Sequence, residues 1–307
     1  MRIPERWQSY FREIPRLEGH FLVSTQAVAG VRLNRAENKI EGVAVRPLKP
    51  GTVVPSFDRP NLAELAELET ALREVVSGLR LSEKTVSCLI PDLSVRAVLL
   101  PFDTLPAAET EREKVVRWRV QKQMPLLTEG TRLVYEVLNG SSPRVFAVVV
   151  KESVVREYEA AFERLHYRVG RVGIPSLSLL DLAGSDEFRD SLLVNLEENS
   201  LCLMGLVEGE LSLYRLKPLA FEGGRSSRRL PEAAKEIENT IRFIEDREKK
   251  QVRALGLRLG VSDPGGAIRE GLRTGLSIPV LEISHPAAAG LNPAEAPILL
   301  PLLGPFS

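Results

Sequence analysis

The hydrophobic pattern opens with a strand that stops and restarts. Across 21–33, Leu22 and Val23 run into polar Ser24, Thr25 and Gln26, and Val28, Val31 and Leu33 then resume the apolar pattern around Gly30. That spacing predicts strand, tight turn, strand. A third strand follows at 40–47, with the stretch 37–42 as the turn leading into it. Asn61 is placed to cap a helix, with Glu64 at the capping-box position and an apolar stripe of Leu62, Leu65, Leu68, Leu72 and Val76. Short apolar strands are predicted at 85–91 and 95–101, then a helix over 109–124 stopped by Pro125. Strands 131–138 and 145–151 pair across Asn139-Gly140, a hairpin signal. Helix 153–165, strand 167–173 and helix 175–183, which carries Pro175 in its first turn, complete the first part of the chain.

The opening then repeats. Strands at 192–196, 201–207 and 211–216 precede a long helix over 231–250 with its stripe at Ala234, Ile237, Ile241 and Ile244. Strand 254–259, a loop with Gly265-Gly266, helix 267–276 and strand 280–283 follow. Two halves that begin alike, each mixing strands and helices, indicate an α/β fold with an internal duplication. Ahead of both halves, Ile3, Trp7, Tyr10, Phe11, Ile14 and Leu17 fall at helical spacing, framed by Pro4 and Pro15. This amphipathic segment has two uses open to it: packing on its own domain, or lying on a membrane or a partner. Its polar face mixes Arg and Glu, which favours packing, because membrane-surface helices carry a basic face.

Composition narrows the function. The chain has 307 residues with 41 Lys plus Arg against 41 Asp plus Glu, so the net charge is zero and no nucleic-acid partner is expected. The basic run from Arg225 to Arg229 reads as a solvated loop before a helix. Cys88 and Cys202 sit in apolar runs and read as core residues of a reducing compartment. His20, His166 and His285 have no zinc-ligand spacing, and no metal site is expected. With no apolar run long enough for a membrane span and no signal peptide, a cytoplasmic protein is expected, one still free to touch a membrane surface.

The interrupted strand at Ser24 has the outline of a phosphate-binding turn, whose backbone N–H groups cradle an anion. Such a turn wants glycine where the backbone nears the ligand and a carboxylate to hold the metal. Neither is present. Glu197 and Glu198 do not make an acid/base pair either, since adjacent residues on a strand point to opposite faces. Ser24, Ser200 and Ser226 lack a local base or nucleophile-elbow spacing. No catalytic residue is assigned.

Several ordered stretches then carry a family resemblance. They are the strand pair ending in Pro50-Gly51, the helix segment 115–126 with Trp118 and a Pro125 exit, the strand–helix–strand–helix run 145–182, and the late strand 275–283 with Ile278-Pro279-Val280. Together they resemble PilM, the actin-like ATPase family of type IV pilus machines, related to the cytoplasmic domain of GspL and to FtsA. One departure is Arg119, where the family has Glu after the Trp. The resemblance implies an actin-like (ribonuclease H-like) fold of two duplicated mixed-sheet halves. The first would span 1–188 with a small inserted subdomain at about 91–167, and the second 189–307.

Against the family pattern, the nucleotide loops are degenerate. Leu22 stands at the metal-side acid, Ser24 at the glycine with Thr25 following, and Ala29 at the lysine. In the second loop Asn195 replaces the acid and Glu197 the glycine, leaving Gly265-Gly266 from the adenosine loop. A carboxylate aimed at a triphosphate repels it, and Mg²⁺ loses both acids. ATP and magnesium binding are therefore not expected. The resemblance then implies a non-catalytic, cytoplasmic adaptor, peripheral at the inner membrane, in a type IV pilus or type II secretion-like assembly platform. Its partner would be the cytoplasmic N-terminal tail of a single-pass, PilN-like membrane protein, and homo-oligomerisation stays open. A groove beside helix 109–124 and strand 131–138 would hold that tail, with Arg117, Trp118 and Gln121 as wall residues. In the competing reading Trp118 is core. Two other functions remain: an ATP-binding actin-like ATPase of the same machinery, and a carbohydrate kinase of the same superfold, which needs a catalytic Asp that the candidate positions lack.

Overall fold

The computed structural model describes residues 17–34, 39–124, 130–138, 143–219, 229–261 and 263–304. The expected N-terminal helix, Glu37 and Asn38 of the expected turn at 37–42, the Asn139-Gly140 turn, Ser226 and the basic run up to Arg228 lie outside the described residues; the rest of the 37–42 turn, from Lys39 on, is strand, because Ile40 and Gly42 pair with Leu33 and Arg32.

The first half starts with an antiparallel meander of β1 (Gly19–Val23), β2 (Ala27–Asn34) and β3 (Lys39–Pro47). Helix α1 (Leu65–Leu79) crosses the sheet, β4 (Thr85–Leu89) lies parallel to β1, and β8 (Arg168–Gly173) lies parallel to β4. The sheet order is β3-β2-β1-β4-β8. The second half repeats the plan. β9 (Ser191–Leu196), β10 (Ser200–Val207) and β11 (Glu210–Pro218) form the meander, α5 (Arg229–Glu248) crosses, and β12 (Ala254–Leu259), helix α6 (Ala267–Gly275) and β13 (Val280–Glu282) follow. Its order, β11-β10-β9-β12-β13, has the same pattern of antiparallel and parallel neighbours. The expected duplication is thus a duplication of topology. Within it, Leu22 and Asn195 are equivalent, each the penultimate residue of a first strand and paired across the hairpin with Ala29 and Cys202 respectively.

β1, β9 and β12 are buried on both faces, which is why they read as continuous apolar runs rather than alternating ones. Alternate residues still sort between different cores. From β1, Phe21 and Val23 face α1, while Leu22 faces a central core shared with Leu193, Cys202 and Met204 of the second half. Helix α4 (Pro175–Leu182) and the last helices, α7 (Ala296–Leu299) and the turn Leu300–Leu303, fill that central core through Leu179, Leu299 and Leu302. In the outer core of the first half, the Phe21 ring meets Phe162 edge-on at 5.1 Å between centroids. Gly30 allows α1 to approach the sheet: a Cβ there would lie 2.8 Å from side-chain atoms of Val75 and Leu79.

An inserted sheet, β5 (Val95–Pro101), β7 (Arg144–Lys151) and β6 (Thr131–Leu138) in that spatial order, interrupts the first half. Helix α2 (Glu109–Gln123) covers one face of it, burying Val116 and Val120 against Val145, Ala147 and Val149. Helix α3 (Glu152–Glu163) follows, and its Tyr158 and Phe162 enter the first half's outer core. The expected insert at 91–167 thus holds the three-stranded sheet at 95–151 together with a helix that packs on the main sheet.

Two local expectations differ from the structure. Asn61 does not cap α1, which begins after Glu64. It is buried instead, donating from Nδ2 to the carbonyls of Ser56 (2.7 Å) and Arg59 (2.8 Å) and accepting at Oδ1 from Ser94 Oγ (2.6 Å). A side chain already spent on tertiary partners has no oxygen left for a helix N–H. Nor is Trp118 core, since it is 57% exposed. It follows Val116 by two positions, about 200° round a helix, and so points away from the sheet that Val116 contacts.

Candidate functional site

The two hairpin turns that end β1 and β9 face each other across the seam between the halves, with Thr25 Oγ1 donating to Glu198 Oε2 at 3.2 Å. In the first turn, Ser24 Oγ accepts from the backbone N–H groups of Gln26 (3.3 Å) and Ala27 (3.0 Å), and Ser24 N donates to the Ala27 carbonyl (2.9 Å). The amides that a phosphate loop would offer to a ligand are occupied by the turn's own hydroxyl. Leu22, expected at the position where the family carries an acid, is 1% exposed in the central core.

The second turn is built around a charge. Arg258 stands on β12, opposite Asn195 of β9, inside an otherwise apolar strand. Its side chain is 1% exposed and forms an ion pair with Glu197, itself 14% exposed. Nη1 also donates to Asn195 Oδ1 at 2.8 Å, and Nε donates to the Pro297 carbonyl at 2.8 Å. Asn195 passes the chain on, its Nδ2 donating to Asp92 Oδ2 at 3.1 Å. Asp92 Oδ1 accepts from Ser176 Oγ (2.5 Å) and Ser176 N (3.2 Å), and Ser176 Oγ lies 3.2 Å from Tyr214 OH. One polar chain therefore runs from Tyr214 through Ser176, Asp92, Asn195 and Arg258 to Glu197, linking both halves and the C-terminal segment. Burial pushes the Asp92 carboxyl up from its ordinary 3.8 to about 6, with Glu197 pushing the same way and the Ser176 bonds and Arg258 opposing.

Gly260 closes this arrangement. Its N–H donates to the Leu196 carbonyl at 2.8 Å, and a Cβ there would overlap the Glu197 carboxylate and the Arg258 guanidinium. Gly265 and Gly266 serve a different purpose. Both are left-handed (φ 75° and 71°) in the turn leading into α6, whose first amides, of Ile268 and Arg269, are accepted by Asp263 at 2.8 and 3.2 Å. Beside the polar chain lies a cavity of about 450 Å³ at the carboxyl ends of β12 and β13, lined by Leu257, Arg258, Arg269, His285 and Pro297 among others. Arg269, its other cation, is engaged by Glu282 at 2.7 Å. Among the described residues, no three or more His, Cys, Asp or Glu side chains are grouped to hold a metal ion.

A second concavity, of about 340 Å³, runs between the inserted sheet and β8. Val134, Phe146, Val148, Ile174 and Leu177 give it an apolar floor, and Arg132, Glu136, Glu159 and Arg171 stand around it. Both strands that flank it, β6 and β8, are edge strands of their sheets. The expected wall residues fall in two places. Strand 131–138 lines the groove, but Arg117, Trp118 and Gln121 do not. They lie on the outward face of α2, and strand alternation puts α2 against Val145, Ala147 and Val149 while the groove uses Phe146, Val148 and Val150. Trp118 instead has Lys122 Nζ 5.3 Å from its ring centroid, and Arg117 pairs with Glu113 one turn back.

Asp92, Ser176, Arg258 and Gly260 were not visible as site residues from sequence. The one available signal was Arg258, a cation in a strand whose other five residues are Ala, Leu and Gly.

No protein-family model and no curated protein matches the chain. Solved structures do. A chain of the PilM–PilN type IV pilus biogenesis complex superposes with a TM-score of 0.75 at 16% identity, covering 95% of this chain and 98% of that one. A Bacteroides thetaiotaomicron protein of actin-like ATPase fold and unknown function superposes with a TM-score of 0.55 at 14% identity, covering 95% and 97%. The chain has the actin-like ATPase fold. The expected fold class is thereby established, and in this actin-like chain the seam between the halves holds the buried Arg258 network.

Two measurements follow from the network. Arg258→Ala strands Glu197 and Asn195 without their donor and is expected to cost about 3–5 kcal/mol of unfolding free energy in urea. Arg258→Met with Glu197→Gln should recover most of that loss, and an Arg258→Ala loss below about 1 kcal/mol would contradict the buried pairing. Asp92 sets a pH dependence. Its folded value of about 6 exceeds the ordinary 3.8, so the unfolded chain loses the proton first as pH rises. Its contribution to stability is therefore full below about pH 4, falls between 4 and 6, and stays low above. Compared with Asp92→Asn, the parent chain should lose on the order of 3 kcal/mol across that window. Parallel curves for the two proteins would show that Asp92 does not titrate there.

Proposed function

We propose that this chain is a non-catalytic, actin-like adaptor that holds an extended peptide, the cytoplasmic N-terminal tail of a single-pass inner-membrane protein of a type IV pilus or related assembly platform. The observation that carries this reading is the apolar groove between two edge strands, β6 and β8. An edge strand offers unpaired N–H and C=O groups to an added strand, and alternate side chains of that strand drop into pockets. Main-chain bonds then supply affinity, and Val134, Phe146, Val148 and Ile174 read the side chains. The fold supports the assignment, because a chain of the PilM–PilN complex shares it along nearly its whole length. By that analogy the partner is PilN-like and the adaptor works at the cytoplasmic face of the membrane. No helix among the described residues is long and apolar enough to cross a membrane.

The adaptor is proposed to work without nucleotide. Leu22 and Asn195 stand at both metal-side positions, the Ser24 hydroxyl occupies its own turn's amides, and of the second turn's carboxylates Glu197 is paired with Arg258 and Glu198 with Thr25. The competing reading, an ATP-binding member of the same machinery, requires Arg258 to leave Asn195 and Glu197 when nucleotide enters.

The test uses a synthetic peptide matching the cytoplasmic N-terminus of a PilN-like membrane protein. Val134 is 50% exposed, so Val134→Arg alters the groove without emptying a core. It is expected to weaken the peptide at least tenfold, about 1.4 kcal/mol, in a fluorescence titration. Trp118→Ala should leave the affinity unchanged. Loss of binding on Trp118→Ala, with Val134→Arg silent, would move the site to the outward face of α2 and overturn the groove assignment.

A further inference from the structure

A third concavity lies at the converging C-terminal ends of α1 and α3, where β4 and β8 begin. It has a volume of about 500 Å³, and Arg73, Arg80, Lys84, Arg164 and His166 border it with no acidic residue among its lining. In a chain of zero net charge, four permanent cations around one hollow make a pronounced local imbalance. Among the described residues, only one of the four is answered by a carboxylate: Arg164 Nη1 lies 2.8 Å from Glu69 Oε1. Lys84 Nζ instead sits 4.2 Å from the centroid of the Tyr167 ring and 3.2 Å from its hydroxyl. Arg73 and Arg80 form no ion pair with any described residue.

The backbone adds an independent observation. Arg80 (φ 52°) and His166 (φ 61°) both adopt the left-handed conformation, and they are two of the four non-glycine residues described with positive φ. Arg80 is the residue that ends α1, the position where helices usually place glycine. Holding a side chain there costs about 1 kcal/mol. Both strained residues line this hollow, and both bring a basic side chain to it.

The cations stand on long exposed arms around a floor of Val76, Leu81 and Leu165. Enclosed, convergent donors are what a small soluble anion needs for tight binding. Exposed arms over an apolar floor suit a phosphate presented at a surface, with methylenes behind it. The hollow also adjoins the groove: residues 165–167 line the one, and Val169 and Gly170, two and three positions on, line the other. We infer that this hollow docks the phosphate of anionic lipid headgroups, so that the first half rests against a negatively charged membrane leaflet with the groove mouth beside it. The inference rests on the reading that the groove holds a membrane protein's tail, since that tether brings the hollow to the membrane.

The test is co-sedimentation of the full chain with vesicles of phosphatidylcholine alone or mixed with phosphatidylglycerol. Binding is expected only to the mixed vesicles and should fall as salt rises. Arg80→Gly relieves the backbone, so its melting temperature should equal or exceed the parent's while vesicle binding drops about fivefold, the equivalent of ~1 kcal/mol per cation. The triple variant Arg73→Ala, Arg80→Gly, Lys84→Ala should drop roughly a hundredfold. Three results would overturn the inference: equal binding to both vesicle types, unchanged binding by the triple variant, or displacement from vesicles by low concentrations of inorganic phosphate, which would make this a soluble-anion site. The tail peptide, titrated against the same variants, keeps the two proposals apart. Its binding should survive the triple variant, and its failure with the parent chain would count against the groove alone.

Discussion

A guanidinium taken out of water must be surrounded by acceptors, and Arg258 organises the seam of this molecule through that requirement. Its three contacts reach the neighbouring strand at Asn195, the second turn at Glu197 and the C-terminal segment at Pro297. Through Asn195 the same network reaches Asp92, where the inserted sheet begins, and Ser176 at the start of α4. Each link uses a side chain that would otherwise be a buried, unsatisfied group. Removing any one therefore costs more than its own bond.

The same interaction accounts for the chemistry of the seam. An actin-like fold brings two hairpin turns together, and here they meet through Thr25 and Glu198. A nucleotide site at that place would want open amides, room for phosphates and acids for a metal. In their places are a hydroxyl folded back on its own turn, a carboxylate held by an internal cation and a glycine, Gly260, with no space beyond its α-carbon. Function on this account moves to the rim of the first half. There the inserted sheet and β8 leave an apolar groove between two open strand edges, adjoining the basic hollow.

How much of this was legible in the sequence depended on how local each feature is. The strands and helices of the described residues were, because apolar runs bounded by Gly, Pro and Asn are short-range signals. The equivalence of Leu22 and Asn195 was also legible, since the repeated strand–turn–strand puts both at matching positions in the two halves. Asn61 misled, because a capping pattern is local and its partners, Ser94 and Tyr158, are not. Trp118 and Val134 show the limit more plainly. Which face of α2 meets the sheet, and which face of β6 meets the groove, depends on how β7 also pairs with β5, more than forty residues earlier in the chain. Arg258 was visible only as an anomaly, a cation in an apolar strand. Its meaning needed Asn195 and Glu197, which are brought beside it only when the second sheet forms.

The central proposal is that the chain works without nucleotide, its seam held by an internal guanidinium. Isothermal titration of the full chain with ATP and Mg²⁺ tests it most directly. The account predicts no saturable heat, and it predicts the same for ATP without the metal. Saturable binding in the micromolar range, with crystals then showing ordered nucleotide between the two turns and Arg258 withdrawn from Asn195 and Glu197, would contradict it.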